Sequence, residues 1–485
     1  MMVRRKQKTE QSGCQLELQL EVGNPIEAHS TEVRKSANGD SAIEPEVRGR
    51  KSERSLLDAI LDMDNMFDAH ERVVKNRGSA GIDGMTVGEL NGYLIKHYLE
   101  LCESIRGGWY KPKPVKRVQI PKPDGGTRLL GVPTVIDRMV QQAMVQVLQP
   151  IFEQTFSESS YGFRPKRNAQ KAIERARKYY EEGYTYVVDL DLEKYFDTVN
   201  HDLLIKMVRE TIKDEAVIGL IRKFLKSGAM ADGLVSQTEQ GTPQGGNLSP
   251  LLSNIYLTKF DLMLEERGHK FVRYADDCNI YVKSLRAAGR VMEGCIKFLE
   301  GKLKLKVNRK KSTTGSPTKL KFLGFSLYRW AKRIGVRVHE KPLERLKKRL
   351  KAMTSRKRGG TIEQILAEIS RLINGWLAYY RIADMKKYLQ VINEWLRRRM
   401  RQIYWKRWKR LKTRHDNLVQ FGVSSPKAWQ WANTRKGYWC ISGSPILTTT
   451  MNNRYFETLG FPNLLKRYEE LREHAKRLQI LHGNC

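Results

Sequence analysis

Phe271-Val272-Arg273-Tyr274-Ala275-Asp276-Asp277-Cys278-Asn279-Ile280-Tyr281-Val282 sets two carboxylates between two runs rich in β-branched and aromatic residues. Such runs read as the arms of a β-hairpin with Ala275-Asp276-Asp277 at its turn. Adjacent like charges repel, and a plain hairpin needs neither of them. Divalent cations would need both, because hard oxygen ligands suit Mg²⁺ and the metal charge cancels the repulsion. Asp is also an ordinary turn residue, so the stretch alone leaves both readings open.

A second stretch supplies a partner. Tyr184-Thr185-Tyr186-Val187-Val188-Asp189-Leu190-Asp191-Leu192 reads as another strand that ends in carboxylates. Residues two apart on a strand share a face, so Asp189 and Asp191 point the same way. Asp191 lies nearer the carboxyl end, where it could reach the hairpin turn. One carboxylate here and two on the hairpin form the minimum set for two-metal phosphoryl transfer, with ions roughly 3.5–4 Å apart.

Working outward, 485 residues with 40% hydrophobic content suffice for two to four domains with real cores. The 88 Lys+Arg against 53 Asp+Glu leave a net charge of +35. An excess of that size fits a soluble scaffold protein, but with ordered carboxylate strands it points to an enzyme acting on a polyanion. Cys14, Cys102, Cys278, Cys295, Cys440 and Cys485 are scattered without a CxxC pair. That argues against structural zinc and disulfides and for a reducing, cytoplasmic setting. No apolar run approaches the ~18 residues of a membrane span. Met1 to Lys8 is basic without a following apolar core, unlike a secretory signal.

Residues 1–50 read as a disordered or variable tail. A helical pattern begins near Ser52, with Leu56, Leu57, Ile60, Leu61 and Met63 spaced for one buried face. Gly-rich punctuation at 78–84 ends it. Val118–Pro121, a turn at Asp124-Gly125-Gly126 and Arg128–Val132 read as a hairpin. Lys122 and Arg128 bracket that turn, either to hold a triphosphate or merely as solvated cations. Past Pro342 three helical stripes follow: Leu343, Leu346 and Leu350; Ile362 through Tyr380; and Tyr388 through Ile403. The stripes are core. The opposite faces carry Arg397, Arg398, Arg399, Arg401, Lys406, Arg407, Lys409 and Arg410 interleaved with Tyr404, Trp405 and Trp408, with no acidic residue from Arg397 to Leu411. Cations alternating with rings over such a length read as a nucleic-acid surface.

Taken in order, these stretches resemble a bacterial group II intron-encoded reverse transcriptase and maturase over about residues 55–485. The resemblance is carried by Arg77–Gly84, Ile120–Arg128, Tyr161-Gly162-Phe163-Arg164-Pro165, the Asp191 strand, Gln240–Pro250, Tyr274-Ala275-Asp276-Asp277 and Phe322-Leu323-Gly324-Phe325. It implies an α+β right-hand polymerase. The expected parts are an N-terminal extension (51–110), fingers and palm (111–330), a three-helix thumb or maturase domain (335–412) and a small DNA-binding region (413–485), the last containing Asn433–Trp439.

The resemblance also implies roles. Asp191, Asp276 and Asp277, with Leu192, would hold two Mg²⁺ ions, with Mn²⁺ as a substitute. Lys311 would donate a proton to the leaving pyrophosphate, although Lys302, Lys304, Lys306, Arg309 and Lys310 stand nearby. Lys122, Arg128, Phe196 and Gln244 would bind the dNTP, Phe196 by excluding a 2′-hydroxyl, and a core aromatic would explain Phe196 equally well. Arg164 would touch template or phosphate, and Phe322–Phe325 would grip the primer. The expected partners are group II intron RNA, an RNA template with a DNA primer or target, and dNTPs, with the chain a monomer or dimer. Two other readings stand beside this one: a maturase that only binds RNA, and a reverse transcriptase of a diversity-generating or CRISPR-associated system. Intact Asp191, Asp276, Asp277 and Phe196 oppose the first, and the long maturase-like tail opposes the second. Many members continue into a His-Asn-His endonuclease with paired cysteines, a pattern this sequence does not show.

Overall fold

A computed structural model describes residues 55–482 except 122–124, 232–233, 237–239 and 243–244, with main chain only for 231, 234–236 and 478–482. The tail expected at residues 1–50 lies outside the described residues. The chain divides into two units, and the break falls between Ser316 and Pro317.

The first unit opens with α1 (Leu56–Ile60), α2 (Met63–Lys75) and α3 (Leu90–Arg106). The single helix expected near Ser52 is two, because Asp62 caps a new start by accepting the N–H of Asp64 at 3.1 Å. Met63, counted on the buried face, is 75% exposed for the same reason. Next come β1 (Val115–Pro121), β2 (Thr127–Val132), α4 (Val135–Glu153) and α5 (Ala169–Glu181). Strands β1 and β2 pair antiparallel, Ile120 opposite Arg128, as the hairpin reading required. The Gly-rich stretch after α2 lies against the start of α4, where a Cβ on Gly81 would meet Thr134 Cα at 2.6 Å. Asp137 anchors that corner, accepting from Tyr110 Oη, Thr134 Oγ1 and the N–H of Lys113.

There follow β3 (Tyr186–Leu190), α6 (Tyr195–Thr198), α7 (His201–Thr211), α8 (Glu215–Lys226), β4 (Ala229–Ala231), β5 (Leu234–Ser236) and α9 (Ser249–Glu266). The unit closes with β6 (Lys270–Tyr274), β7 (Asp277–Val282), α10 (Leu285–Gly301) and β8 (Thr313–Gly315). One four-stranded sheet runs β2-β1-β4-β5 and the other β6-β7-β3-β8. The second sheet lies against α5, α9 and α10. Helix α9 is buried on nearly every side from Leu251 through Leu264, with Leu262 exposed and Lys259 half-exposed. It therefore lacks the amphipathic period that announces a helix in sequence.

The second unit starts with β9 (Phe325–Trp330) and β10 (Arg333–Val338), an antiparallel pair. The expected primer-gripping turn precedes it: Phe322 and Phe325 bridge across Leu323 (φ +49°) and Gly324 (φ +82°). Helices α11 (Glu340–Met353), α12 (Ile362–Tyr380) and α13 (Lys386–Arg407) match the three stripes. Then come α14 (Leu411–Gln420), α15 (Ser425–Ala432), α16 (Tyr438–Ser442), α17 (Pro445–Thr450), α18 (Asn453–Thr458) and α19 (Leu464–His482). The region after residue 413 is not separate as expected. Helix α19 returns to α12 and α13, with Tyr468 Oη donating to the Ala383 carbonyl and Lys386 paired to Glu469, each at 2.8 Å.

Candidate active site and nucleic-acid contacts

Strands β6 and β7 join through a two-residue turn, Ala275-Asp276, with Tyr274 opposite Asp277. Ala275 sits at φ +57°, a left-handed conformation that costs a residue with a Cβ. Its surroundings hold it there. Arg273, 1% exposed, pairs with the fully buried Asp261 of α9 at 2.7 and 2.5 Å. The Arg273 Nη1 donates to Asn254 Oδ1 and to the Ala275 carbonyl, each at 3.0 Å. Asn254 in turn donates to the Gly162 carbonyl at 2.9 Å. Gly162 lies flat against the turn, where a Cβ would come within 2.3 Å of the Ala275 nitrogen. The N–H of Tyr161 reaches the Arg273 carbonyl at 2.8 Å, and the N–H of Arg273 reaches the Ser159 carbonyl at 2.9 Å. The Tyr161-Gly162-Phe163 stretch is thus the bed on which the carboxylate hairpin rests. Arg273, Asp261 and Asn254 were not foreseen. Their signal was one cation inside an apolar strand, and Asn254 and Asp261 among the polar residues that interrupt the otherwise apolar run 251–264.

Asp191 follows β3 directly. Its N–H donates to Ser312 Oγ at 3.0 Å and its carbonyl accepts the N–H of Asn308 at 2.8 Å. Asp189 lies inside the strand, opposite Asn279 and Thr313. Burial raises the Asp276 carboxyl above the usual carboxylate range; the Asp191 charge adds to this, and Arg128 and Arg273 oppose it. Asp191 and Arg128 therefore each lie within electrostatic reach of Asp276. Asp277 begins β7 and is exposed. Among the described residues no three carboxylate, imidazole or thiol groups close into an ion site by themselves. The donor set nevertheless suits a divalent ion: hard oxygens, one of them half-buried beside a second negative charge that a cation would offset. Leu192 is buried and bridged to Val307; its side chain carries no donor atom, so its carbonyl oxygen is the group that can serve as a ligand. Lys311 is exposed on the Asn308–Ser312 turn, whose Ser312 hydroxyl fixes Asp191.

Phe196, on α6, is half-buried at the core edge, its ring 5.2 Å from that of Tyr195. The Gly-rich loop lies against it: the N–H of Thr242 donates to the Phe196 carbonyl at 2.6 Å, and a Cβ on Gly241 would meet that oxygen at 2.8 Å. At its other end a Cβ on Gly245 would meet the Gly131 carbonyl of β2 at 2.5 Å. The loop so links the Arg128 strand to the Phe196 turn. Lys122 and Gln244 lie outside the described residues.

The expected nucleic-acid residues need correction. Arg164 is 6% exposed; it pairs with Glu153 at 2.7 Å and donates to the carbonyls of Ser157 and Ser160. It braces the turn after α4 and does not face a template. On α13, Arg398 donates to the Trp439 carbonyl at 2.9 Å and stacks on that indole at 4.1 Å. Arg399 donates to Thr354 Oγ1 and to the carbonyls of Thr354 and Lys351. Arg401, 8% exposed, donates to the Met451 carbonyl at 3.0 Å, and burial, with Arg397 nearby, lowers its pKa to about 10. Arg397 is half-buried, its pKa lowered by burial. Trp405 and Trp408, read as stacking rings, are 1% and 7% exposed. Arg401, Trp405 and Trp408 are buried and Arg397, Arg398 and Arg399 half-buried, enclosed by the end of α11, by Arg414 of α14 and by the α16–α18 segment. Arg407, Lys409 and Arg410 are exposed and Lys406 half-exposed; Arg407 also donates to the Gly360 carbonyl at 2.7 Å.

Comparison with known proteins bears on this arrangement. Residues 120–327 match the reverse transcriptase (RNA-dependent DNA polymerase) family and residues 343–422 the group II intron maturase-specific domain. Protein YkfC of Escherichia coli (strain K12) is 34% identical over 312 residues, 56% of this chain and 81% of that one. The group II intron-encoded protein LtrA of Lactococcus lactis subsp. cremoris is 33% identical over 250 residues, covering 51% of this chain and 41% of LtrA, less than half its length. A partial Cas6-RT-Cas1–Cas2 complex gives 26% identity and a TM-score of 0.34 over 51% of this chain and 43% of that one, too low a score to bear on the fold. No helix among the described residues is long and apolar enough to cross a membrane. With both domain families matched in order and a third of the residues shared across most of YkfC, the chain belongs to the group II intron-encoded reverse transcriptases and maturases, a family of RNA-directed DNA polymerases that work with divalent metal ions and nucleic-acid partners.

Proposed function

We propose that this protein copies RNA into DNA at the Asp191–Asp276 end of the palm sheet, with two Mg²⁺ ions, and that it binds its own intron RNA to promote splicing and mobility. The observation that carries the reading is the Asp276 carboxylate, fixed on a strained turn and raised by burial and by Asp191, with Arg128 in reach. Asp191, Asp276 and Asp277, with the Leu192 carbonyl, would hold the ions. When bound, the ions would lower the pKa of a 3′-hydroxyl and offset charge on the pyrophosphate. Arg128 and Lys122 would hold the triphosphate, Phe196 would exclude a 2′-hydroxyl, Gln244 would meet the nucleotide, and Lys311 would protonate the leaving group. The exposed Arg407, Lys409 and Arg410, with Lys406, would meet RNA phosphates. Work of this kind suits the bacterial cytoplasm.

The test is primer extension on poly(rA) with Mg²⁺. Asp191→Asn and Asp276→Asn should abolish it while RNA binding persists, since each removes a charge and little volume. Asp189→Asn should be milder, because Asp189 lies within the strand, one pleat back. Near wild-type extension by the first two variants would overturn the metal assignment.

A further inference from the structure

The β9–β10 hairpin ends in a two-residue turn, Ala331-Lys332, and Trp330 stands opposite Arg333 beside it. Phe325, Leu327, Ile334, Val336 and Val338 are buried, so the base of the hairpin is committed to the core. Its tip is the opposite: Trp330 is 76% exposed, whereas Trp405 and Trp408 of the same unit are 1% and 7% exposed. An indole carries a large apolar surface that water disfavours, so leaving it at a turn has a cost that packing does not repay. Residues 325–338 hold Arg329, Lys332, Arg333 and Arg337 and no acidic residue, and all four are exposed. Two of these guanidinium groups are held in place, Arg329 by the Ala331 carbonyl at 3.3 Å and Arg337 by the Thr318 carbonyl at 3.1 Å. Arg333 makes only a long pair with Asp384, at 3.7 Å.

We propose that Trp330 is a stacking platform for an unpaired nucleotide, with Arg329, Lys332, Arg333 and Arg337 receiving the flanking phosphates. A ring exposed among cations is the combination that binds single strands without regard to sequence: the indole takes any base face, and the cations take the backbone. A duplex offers no free base face, so the site selects single strands. The proposal rests on the chain's working on nucleic acid, but it concerns a surface outside the residues proposed for chemistry.

The test measures equilibrium binding of the full chain to labelled oligo(U), oligo(dT) and a duplex RNA of equal length. Salt of roughly 0.3 M damps phosphate attraction and leaves stacking visible. Trp330→Ala should weaken oligo(U) binding by roughly 5- to 150-fold, the stacking contribution of one base. Trp330→Phe should lose less, duplex affinity should hold, and the melting temperature should not move. A parallel loss on oligo(dT) would show that the platform takes the base of either strand, and a loss on oligo(U) alone would show that it takes RNA. Unchanged oligo(U) affinity, or an equal loss on the duplex, would overturn the proposal. Asp276→Asn should keep wild-type oligo(U) binding, so failure of the polymerase reading and failure of the platform are separately visible.

Discussion

At Asp276, burial and the neighbouring Asp191 both oppose ionisation. The unfolded carboxyl ionises near an ordinary ~3.9, and the folded one at a higher pH. As pH rises past the unfolded value, the folded state therefore takes on a penalty that is complete above the folded pKa. Asp276→Asn should raise the melting temperature of metal-free protein at neutral pH, with the gain vanishing below about pH 4. Mg²⁺ should stabilise the wild type more than the variant; scanning fluorimetry across pH, with and without Mg²⁺, checks both. Arg273 presents the reverse case. Burial alone would lower its pKa, yet Asp261 overrides burial and raises it. Arg273→Met should destabilise by about 3–5 kcal/mol, because Asp261 is left buried and unpaired. Arg273→Met with Asp261→Leu should recover much of that stability. Extension should stay slow in the double variant, since the Ala275 carbonyl has lost its donor; a double variant with wild-type extension would reduce Arg273 to a packing role. Phe196 contacts the core on one side only, so Phe196→Ala should fold and begin to accept rNTPs. A competition between dNTP and rNTP in extension decides this, and unchanged selectivity returns Phe196 to the core.

Helix α13 shows how one element can conceal the use of its charges. Its apolar stripe is buried as the period requires, but among the cations opposite Arg401 is buried and Arg397, Arg398 and Arg399 are half-buried against neighbouring segments. Arg401→Gln should therefore lower stability by roughly 1.5–3 kcal/mol, the worth of a charged hydrogen bond in a covered site. Its effect on the salt dependence of RNA binding should be small. Replacing Lys409 and Arg410 by Gln should do the reverse: no change in melting, and a slope of log affinity against log salt flatter by roughly 0.7–0.9 per cation. A salt titration of RNA binding beside a thermal melt separates the two. Loss of slope in Arg401→Gln without loss of stability would restore the surface reading of the run.

Across the whole molecule, the carboxylate site lies in the unit ending at Ser316 and the maturase helices in the unit beginning at Pro317. Splicing assistance is a binding task that requires folded RNA, not a nucleotidyl transfer. The Asp276→Asn protein should consequently still promote splicing of its intron at low Mg²⁺ while extending no primer. The Lys409 and Arg410 replacement should lose splicing efficiency first. Paired splicing and extension assays on these two proteins give the answer, and loss of splicing in Asp276→Asn would show that the two activities share the carboxylate site.

Much of the polymerase was legible from local order. The hairpin around Ala275-Asp276, the β1–β2 pair and the helices α11 to α13 follow from turn chemistry and from periods of 2 and 3.6, which depend only on neighbours in the chain. Asp191 and Asp276 could be named as partners because strand ends and tight turns are local features too. The tertiary structure alone decided which charges face water. Arg164 and Arg401 read as surface cations because a sequence shows charge and not burial, and their acceptors on Ser157, Ser160 and Met451 are carbonyls that any residue would carry. Helix α9 escaped notice because an element buried on nearly all sides shows no clear periodic face. Arg273 escaped because its role is a contact with Asp261 and with a carbonyl of the turn it precedes. Periodicity records which side of an element is apolar; only the packing of other elements against it fixes which polar groups are enclosed with it.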